Sequence, residues 1–401
     1  MRPRILIMMH YMELGGAESA LLGLLQSIDS ERVDVDVFLY DHRGELMPYI
    51  PTDRVRLLPV QKSWQMIERP LVECVKVGQL GIALGRLWAK WTVDKSPLPA
   101  GKDDMRIFSR VAECVEPFLS AINPDVEYDL AISFMMPHNY VLSKVKAKKT
   151  LGWIHTDYSH VYVDVRRETK VWANLDYVVS ISEDVGEKFV EVFPLVRNRI
   201  VPIENILNAG FIRRRAEEEN VCLCADTSVI SLLTIGRFSY PKRMEDIPAI
   251  CSRVRKKGVS VRWFIIGYGN KDIEQVVREN AVAENVADDV VLLGKKSNPY
   301  PYIKACDVYV QPSRYEGKSV AVREAQILGK PCAVTNYPTA ASQIQDGFDG
   351  VILPMELEQC AEALSEFLMD RSKRQSISEF LRTHEYGNEN EVEKIYQLVK
   401  A

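Results

Sequence analysis

No stretch of this chain approaches the roughly 18–20 consecutive apolar residues that a membrane-spanning helix needs. Charge of either sign is not in excess: 51 Lys and Arg stand against 55 Asp and Glu, leaving −4. A nucleic-acid binder shows a basic surplus or a basic face, so nucleic acid is not expected as a partner. The eight cysteines form no Cys-x-x-Cys pair, and Cys222 and Cys224 have no histidine beside them. That excludes a zinc ribbon and points to reduced, mostly buried thiols in a cytoplasmic protein. No 20–50-residue repeat is present, which excludes a solenoid. The run Gly267 to Asp272 lacks the third glycine of a dinucleotide fingerprint, so a nicotinamide site is not expected. With 47% apolar and 26% charged residues, the 401-residue chain is also no disordered tail. Its length suits two or three domains.

What is present is an alternation of short apolar runs and helix-length segments. Arg4 to Met9 has strand length and reads as a first strand, too short for a signal peptide. A glycine loop follows, then Ala17 to Ile28, with Ala20, Leu21, Leu24, Leu25 and Ile28 at helical spacing. Val33, Val35, Val37 and Leu39 alternate as in a strand. Strand, helix and strand make a βαβ unit with a parallel sheet. Further strands are expected at 130–134, 149–154, 177–181 and 200–203, and the segment 62–122 reads as mostly helical. The pattern restarts at Val229 to Ile235, with strands at 261–266, 290–293, 307–311, 332–335 and 351–353. A last amphipathic helix spans Glu391 to Val399. The fold class is α/β, doubly wound. In such sheets ligands bind at the carboxyl ends of strands.

Two constellations lie on those ends. In the first, seven residues separate Glu316 from Glu324. Glu316 falls on the loop after a strand, and Glu324 about one turn into the next helix. Gly317 permits close approach, and the amides of Ser319 and Val320 open the helix, where its dipole favours an anion. A diphosphate fits the helix end, and a ribose diol fits a glutamate one turn in. In the second, Gly236 ends a strand, and Arg237 and Lys242 bracket a proline turn. An arginine fork with a lysine suits a pyrophosphate. Taken alone, each set also reads as ordinary surface charge.

The order Gly236-Arg237 to Pro241-Lys242, then Pro312 to Pro331 with its Tyr-Glu-Gly-x6-Glu-Ala core, then Asp346 to Gly350, resembles the retaining glycosyltransferases of family 4. The N-terminal half is similar more loosely, through Gly15 to Glu18 and Trp153 to His155. The resemblance implies the GT-B fold: two Rossmann-like domains facing across a cleft, residues 1–205 for the acceptor and 206–384 for the nucleotide sugar. Residues 385–401 would return as a helix to the first domain. It implies that Glu324 holds the donor ribose and Glu316 lies beside the sugar. Arg237 and Lys242 would clamp the diphosphate, next to Gly236. The backbone of Gly317, Lys318, Ser319 and Val320 would meet the distal phosphate and sugar. Gly16 would cover the phosphates, and His155 would line the sugar site. Lys295 and Lys296, with Gly267, would wrap the base. Many members carry Phe-Pro where this chain has Lys318-Ser319, which leaves the sugar open.

The resemblance further implies a metal-independent hexosyl transfer with no cofactor. The donor would be a nucleotide sugar, by default a UDP-sugar, and the acceptor a glycan or lipid-linked glycan of a bacterial surface polysaccharide. A same-fold alternative is a nucleotide-sugar epimerase; another is a non-catalytic scaffold. Other features take plainer readings. Asp34 and Asp36 read as the polar face of a strand, not a metal motif. His10 and His138 read as satisfied histidines, and Arg213 to Arg215 beside Glu217 to Glu219 as a solvated helix face. The segment 74–91 holds Trp88, Trp91 and several leucines with Lys76, Arg86 and Lys90 and no acidic residue. It reads either as a helix packed on its domain with its cations exposed, or as an amphipathic helix lying on the anionic inner face of a membrane.

Overall fold

The computed structural model describes residues 2–99 and 102–400. Met1 and Ala401, at the outer ends of the expected domains, lie outside it, as do Ala100 and Gly101 in the segment read as helical. The chain divides into two compact units: residues up to Ile206 together with those from Glu389 onward, and Leu207–Asn388.

The first unit holds a seven-stranded parallel sheet. Its spatial order is Arg56–Leu57, Asp34–Leu39, Arg4–Met9, Leu130–Ser133, Thr150–Ile154, Tyr177–Ser180 and Ile200–Pro202. Counted along the chain that is 3-2-1-4-5-6-7, the Rossmann order. The central strands are buried on both faces, which is why they read as unbroken apolar runs. Trp64 closes the end of this sheet. It is fully buried between Phe38, Tyr40 and Tyr140, and its indole N–H donates to the Ser120 carbonyl at 3.0 Å. The final helix, Val392–Lys400, belongs to this unit. Its Tyr396 hydroxyl accepts from the Asp29 amide at 2.8 Å, and Arg32 lies 4.2 Å over the Tyr396 ring.

The second unit has a six-stranded parallel sheet in the order Val290–Gly294, Val261–Ile266, Ile230–Ile235, Val308–Gln311, Cys332–Thr335 and Gly350–Leu353. This is 3-2-1-4-5-6, again the Rossmann order. Leu232, Trp263, Ile265, Val308 and Val310 pack against Ile250, Val254, Leu364 and Phe367 from the covering helices. Each such side chain contributes roughly 1.5–3 kcal/mol of burial. The Trp263 indole is satisfied inside that core by Thr234 Oγ1 at 2.9 Å.

Several plain readings change. Asp36 is not on a solvated face. It is buried, takes both forks of Arg56, and accepts from the Tyr128 hydroxyl at 2.6 Å. The unrecognised two-residue strand Arg56–Leu57 brings that arginine alongside. Arg215 is buried too, unlike its exposed neighbours Arg213 and Arg214. The segment 62–122 is helical at Lys62–Gln65, Leu71–Lys76, Leu80–Thr92 and Arg106–Val115, but Asp103–Asp104 pairs as a short strand with Val161–Tyr162. All eight cysteines are free thiols, five of them buried.

Candidate active site

In the second unit the strand order reverses between Ile230–Ile235 and Val308–Gln311. The crevice at the carboxyl ends of those two strands is where doubly wound sheets bind ligands. Both sequence constellations emerge there, one from each strand.

Three glycines lie side by side at this edge. The Gly236 amide donates to the Ile266 carbonyl, and the Gly267 amide to the Gly294 carbonyl. A Cβ on Gly267 would stand 2.2 Å from the Gly236 carbonyl oxygen, so only glycine lets these strand ends approach. Lys295 follows Gly294, with its ammonium 5.0 Å over the Tyr268 ring. Lys296 lies 5.3 Å over Tyr302. These cations sit at the outer strands, on the flank of the crevice.

Lys242 and Glu316 meet: Nζ donates to Oε1 at 2.5 Å. The same oxygen accepts from Ser313 Oγ at 2.6 Å and from Gln311 Nε2 at 3.3 Å. Gln311 in turn donates to Ser313 and accepts from the buried Tyr309 hydroxyl at 2.6 Å. Gln311 and Ser313 are fully buried, so the strand that ends at Gln311 fixes the carboxylate. A charge-assisted set of this kind holds one geometry well. Arg237 behaves differently. Its side chain is exposed and makes no hydrogen bond or ion pair with the described residues. It is the unpaired cation of the expected clamp, while Lys242 is already engaged.

The helix Val320–Ile327 opens at Ser319, whose hydroxyl makes no capping bond. One expectation is corrected here. The Ser319 amide is not available to a phosphate, because it donates to Gln343 Oε1 at 3.1 Å while Gln343 Nε2 donates to the Ser319 carbonyl at 2.6 Å. The side-chain amide of Gln343 thus mimics a β-bridge and pins the turn. The amides of Val320, Ala321 and Val322 remain without partners among the described residues. Three free N–H groups at a positive helix end are suited to an anion. Gly317 and Lys318 lead into it, and Thr339 Oγ1 holds the loop by donating to the Glu316 carbonyl at 2.9 Å.

Glu324 lies just past that first turn and is 5% exposed. Helical side chains lean toward the N-terminus, which directs this carboxylate back to the free amides. Tyr300 donates to its Oε1 at 2.9 Å, and Oε2 receives no donor from the described residues. Burial pushes its pKa up to about 7, against the pull of the Tyr300 hydroxyl and the Arg215 charge. Tyr300 and Arg215 were not legible in the sequence. Arg215 stacks 5.6 Å from the Tyr300 ring and supports the tyrosine from behind.

Two expected residues belong to the first unit. Gly16 opens the helix Gly16–Ser27, exposed, with open space where its Cβ would be. His155 follows the strand Thr150–Ile154 and stacks parallel to Trp153 with ring centroids 5.9 Å apart. Both its ring nitrogens are buried and make no hydrogen bond with the described residues. Desolvation pushes its pKa down to about 4, with the Phe134 backbone and Asn205 side chain acting in the other direction. His155 is therefore neutral at pH 7. His10 and His138 are satisfied: His10 by Glu68 at 2.7 Å and the Met136 carbonyl at 2.8 Å, and His138 by Ser133 Oγ at 2.8 Å. Among the described residues no group of three or more His, Cys, Asp or Glu is placed to hold a metal ion.

Residues 225–384 match the family Glycosyl transferases group 1. The whole chain superposes on Anabaena HepE, solved with UDP and glucose, with a TM-score of 0.67, 13% identity and 99% of both chains covered. It superposes equally on Staphylococcus aureus TarM, solved with UDP and α-GlcNAc-glycerol, at 0.67, 14% and 100% of both. The fold is therefore the GT-B glycosyltransferase fold, built from two Rossmann-like α/β units, and the family match lies within the second unit. In sequence the chain is similar to EpsF of Bacillus subtilis, 24% identical over 55% of this chain and 59% of that one. It is also similar to the capsular polysaccharide biosynthesis glycosyltransferase CapM of S. aureus, 26% identical over 50% and 54%. The alignments thus span little more than half of these relatives.

Proposed function

We propose that this protein is a retaining glycosyltransferase. It moves a hexosyl unit from a nucleotide sugar, by preference a UDP-sugar, to a glycan or lipid-linked glycan during bacterial surface polysaccharide synthesis. The observation that carries this reading is the uncapped helix start at the switch point. Three free amides there are flanked by the unpaired Arg237, the Lys242–Glu316 pair and the buried Glu324. The diphosphate of the donor rests on the amides of Val320 to Val322, and the ribose diol donates to Glu324. Gly236 and Gly267 leave room for the backbone to approach the pyrophosphate, and the strand ends near Lys295 and Lys296 receive the base.

The chemistry follows from charge. As the glycosidic bond breaks, the sugar carbon becomes oxocarbenium-like and negative charge grows on the leaving diphosphate. Arg237 and the helix end stabilise that charge, and Lys242 supplies a second cation from the opposite side of the turn. No metal is required in this scheme. The acceptor hydroxyl attacks from the face the diphosphate leaves, and a diphosphate oxygen takes its proton, so configuration is retained. Glu316 does not act as a covalent nucleophile. Its carboxylate is held by Lys242 and Ser313, and it orients a sugar hydroxyl.

Proton NMR of the protein with a panel of UDP-hexoses and candidate acceptors tests the reading. Acceptor-dependent UDP release with a product of unchanged anomeric configuration is expected. UDP release accompanied by an epimerised free sugar would replace the reading with an epimerase, and an inverted product would refute retention.

A further inference from the structure

The helix Leu80–Thr92 is inverted relative to an ordinary surface helix. Its inward face is Ile82 with the small residues Ala83, Gly85 and Ala89, all buried. A Cβ on Gly85 would stand 2.6 Å from the Cys114 carbonyl oxygen, so this face packs tightly on the helix Arg106–Val115. Its remaining large apolar residues face outward. Leu80, Leu84, Leu87, Trp88 and Trp91 fall on one helical face, with Leu84 65%, Trp88 53% and Trp91 69% exposed. Trp88 and Trp91 lie against each other, ring centroids 5.0 Å apart. The surface continues through Phe118, packed over Gly81, and through the exposed Val72, Val75 and Val77. A groove of about 700 Å³ lies along it, lined by Leu84, Leu87, Trp88, Trp91, Pro117 and Phe118. An exposed apolar surface this continuous marks an interaction site.

Charge decides what covers it. No acidic residue occurs in 74–93. Lys76, Lys90 and Lys95 make no ion pair or side-chain hydrogen bond with the described residues. Glu113, in the groove, is neutralised by Arg110 and Arg167. Arg86 is spent internally on the Met66 and Arg69 carbonyls. The flanking Glu73 and Asp94 pair with Arg69 and Arg106, so the uncompensated charge around this two-tryptophan apolar face is cationic. A second copy across a two-fold axis would set these lysines against one another. Anionic lipid headgroups would pair with them, while tryptophan suits the boundary between headgroup and acyl chain.

We propose that this face docks the protein on an anionic lipid bilayer, with Trp88, Trp91, Leu84 and Leu87 entering the acyl boundary and Lys76 and Lys90 contacting the headgroups. The inference rests on the first unit's surface alone and stands independently of the donor site.

Flotation of the full-length protein with vesicles tests it, using phosphatidylcholine alone or in equal parts with phosphatidylglycerol. The protein should float with the anionic vesicles at low ionic strength, and less so as salt screens the lysines. Combining Trp88→Ser with Trp91→Ser should weaken partitioning at least about tenfold. Lys76→Gln and Lys90→Gln should each weaken it roughly fivefold. The lysine variants keep the test valid if the tryptophan pair does not fold, and UDP binding should be unchanged in all. A wild type that stays unbound to both vesicles overturns the proposal. So does flotation insensitive to both variant sets, or a dimer in sedimentation that the tryptophan variants dissociate.

Discussion

Glu324 links nucleotide binding to pH, and the link can be worked out from the structure. The carboxyl is buried, and its pKa stands at about 7 instead of 4.5. Only the ionised form can accept both hydroxyls of a ribose diol, since the protonated form gives up an acceptor site. At pH 8 about nine-tenths of the molecules carry the carboxylate, and at pH 6 about one-tenth. Affinity for a ribonucleotide should therefore fall about tenfold from pH 8 to pH 6, roughly 1.4 kcal/mol. Binding at pH 7 should release about half a proton, readable by calorimetry from the dependence of the binding enthalpy on buffer ionisation. UDP's own phosphate titrates in the same region, so the profile of Glu324→Gln serves as the baseline. The wild type should show a tenfold drop beyond that baseline. Identical profiles for wild type and variant, or tighter binding at pH 6, would refute the reasoning. The same shift acts on stability with a defined sign. A carboxyl raised in the folded state favours folding below its unfolded value, and that contribution is lost as pH rises from about 4.5 through about 7. Without ligand, Glu324→Gln should gain stability above pH 7, on the order of 3 kcal/mol at most.

Three further outcomes follow from the site. Arg237→Ala should lower turnover roughly 10²–10³-fold, as for loss of one oxyanion donor, with the melting temperature unchanged because the side chain is exposed and unpaired; a steady-state assay beside a thermal melt reads both. Gly267→Ala places a methyl 2.2 Å from the Gly236 carbonyl, and should cost about 1–3 kcal/mol in urea unfolding while also weakening UDP binding. Gln343→Ala strands the Ser319 amide and carbonyl, with an expected cost of about 1–3 kcal/mol. Its UDP affinity should fall as the phosphate turn loosens, and unchanged affinity would show that the turn holds itself.

How far the sequence could be read depended on how local the determining contacts are. The buried parallel strands, such as Arg4–Met9 and Val261–Ile266, are near-continuous apolar runs and were legible at once. Glu316, Glu324, Arg237 and Lys242 were legible as motif residues, and the structure brings Lys242 onto Glu316 across 74 residues. The supports of these residues were not legible. Tyr300 and Arg215 reach Glu324 from distant segments, and nothing in the run Arg213 to Arg215 signals that only the third arginine is buried. Gln343 takes the Ser319 amide from 24 residues away. Asp36 looked like one member of an alternating polar face because its partner Arg56 lies on a two-residue strand too short for any periodicity. The helix Leu80–Thr92 shows the opposite case. Its helical spacing was readable, yet which face is buried depends on Gly85 meeting the Cys114 backbone, a contact that only the fold reveals.

On the proposed function, the switch point of the second unit binds a nucleoside diphosphate. Titration calorimetry with UDP, GDP, ADP and their sugars, wild type beside Glu324→Ala, tests it most directly. Selective binding of one diphosphate by the wild type, lost in the variant, is the predicted result. A folded wild type that binds none of them, or a variant that binds as tightly, would contradict it.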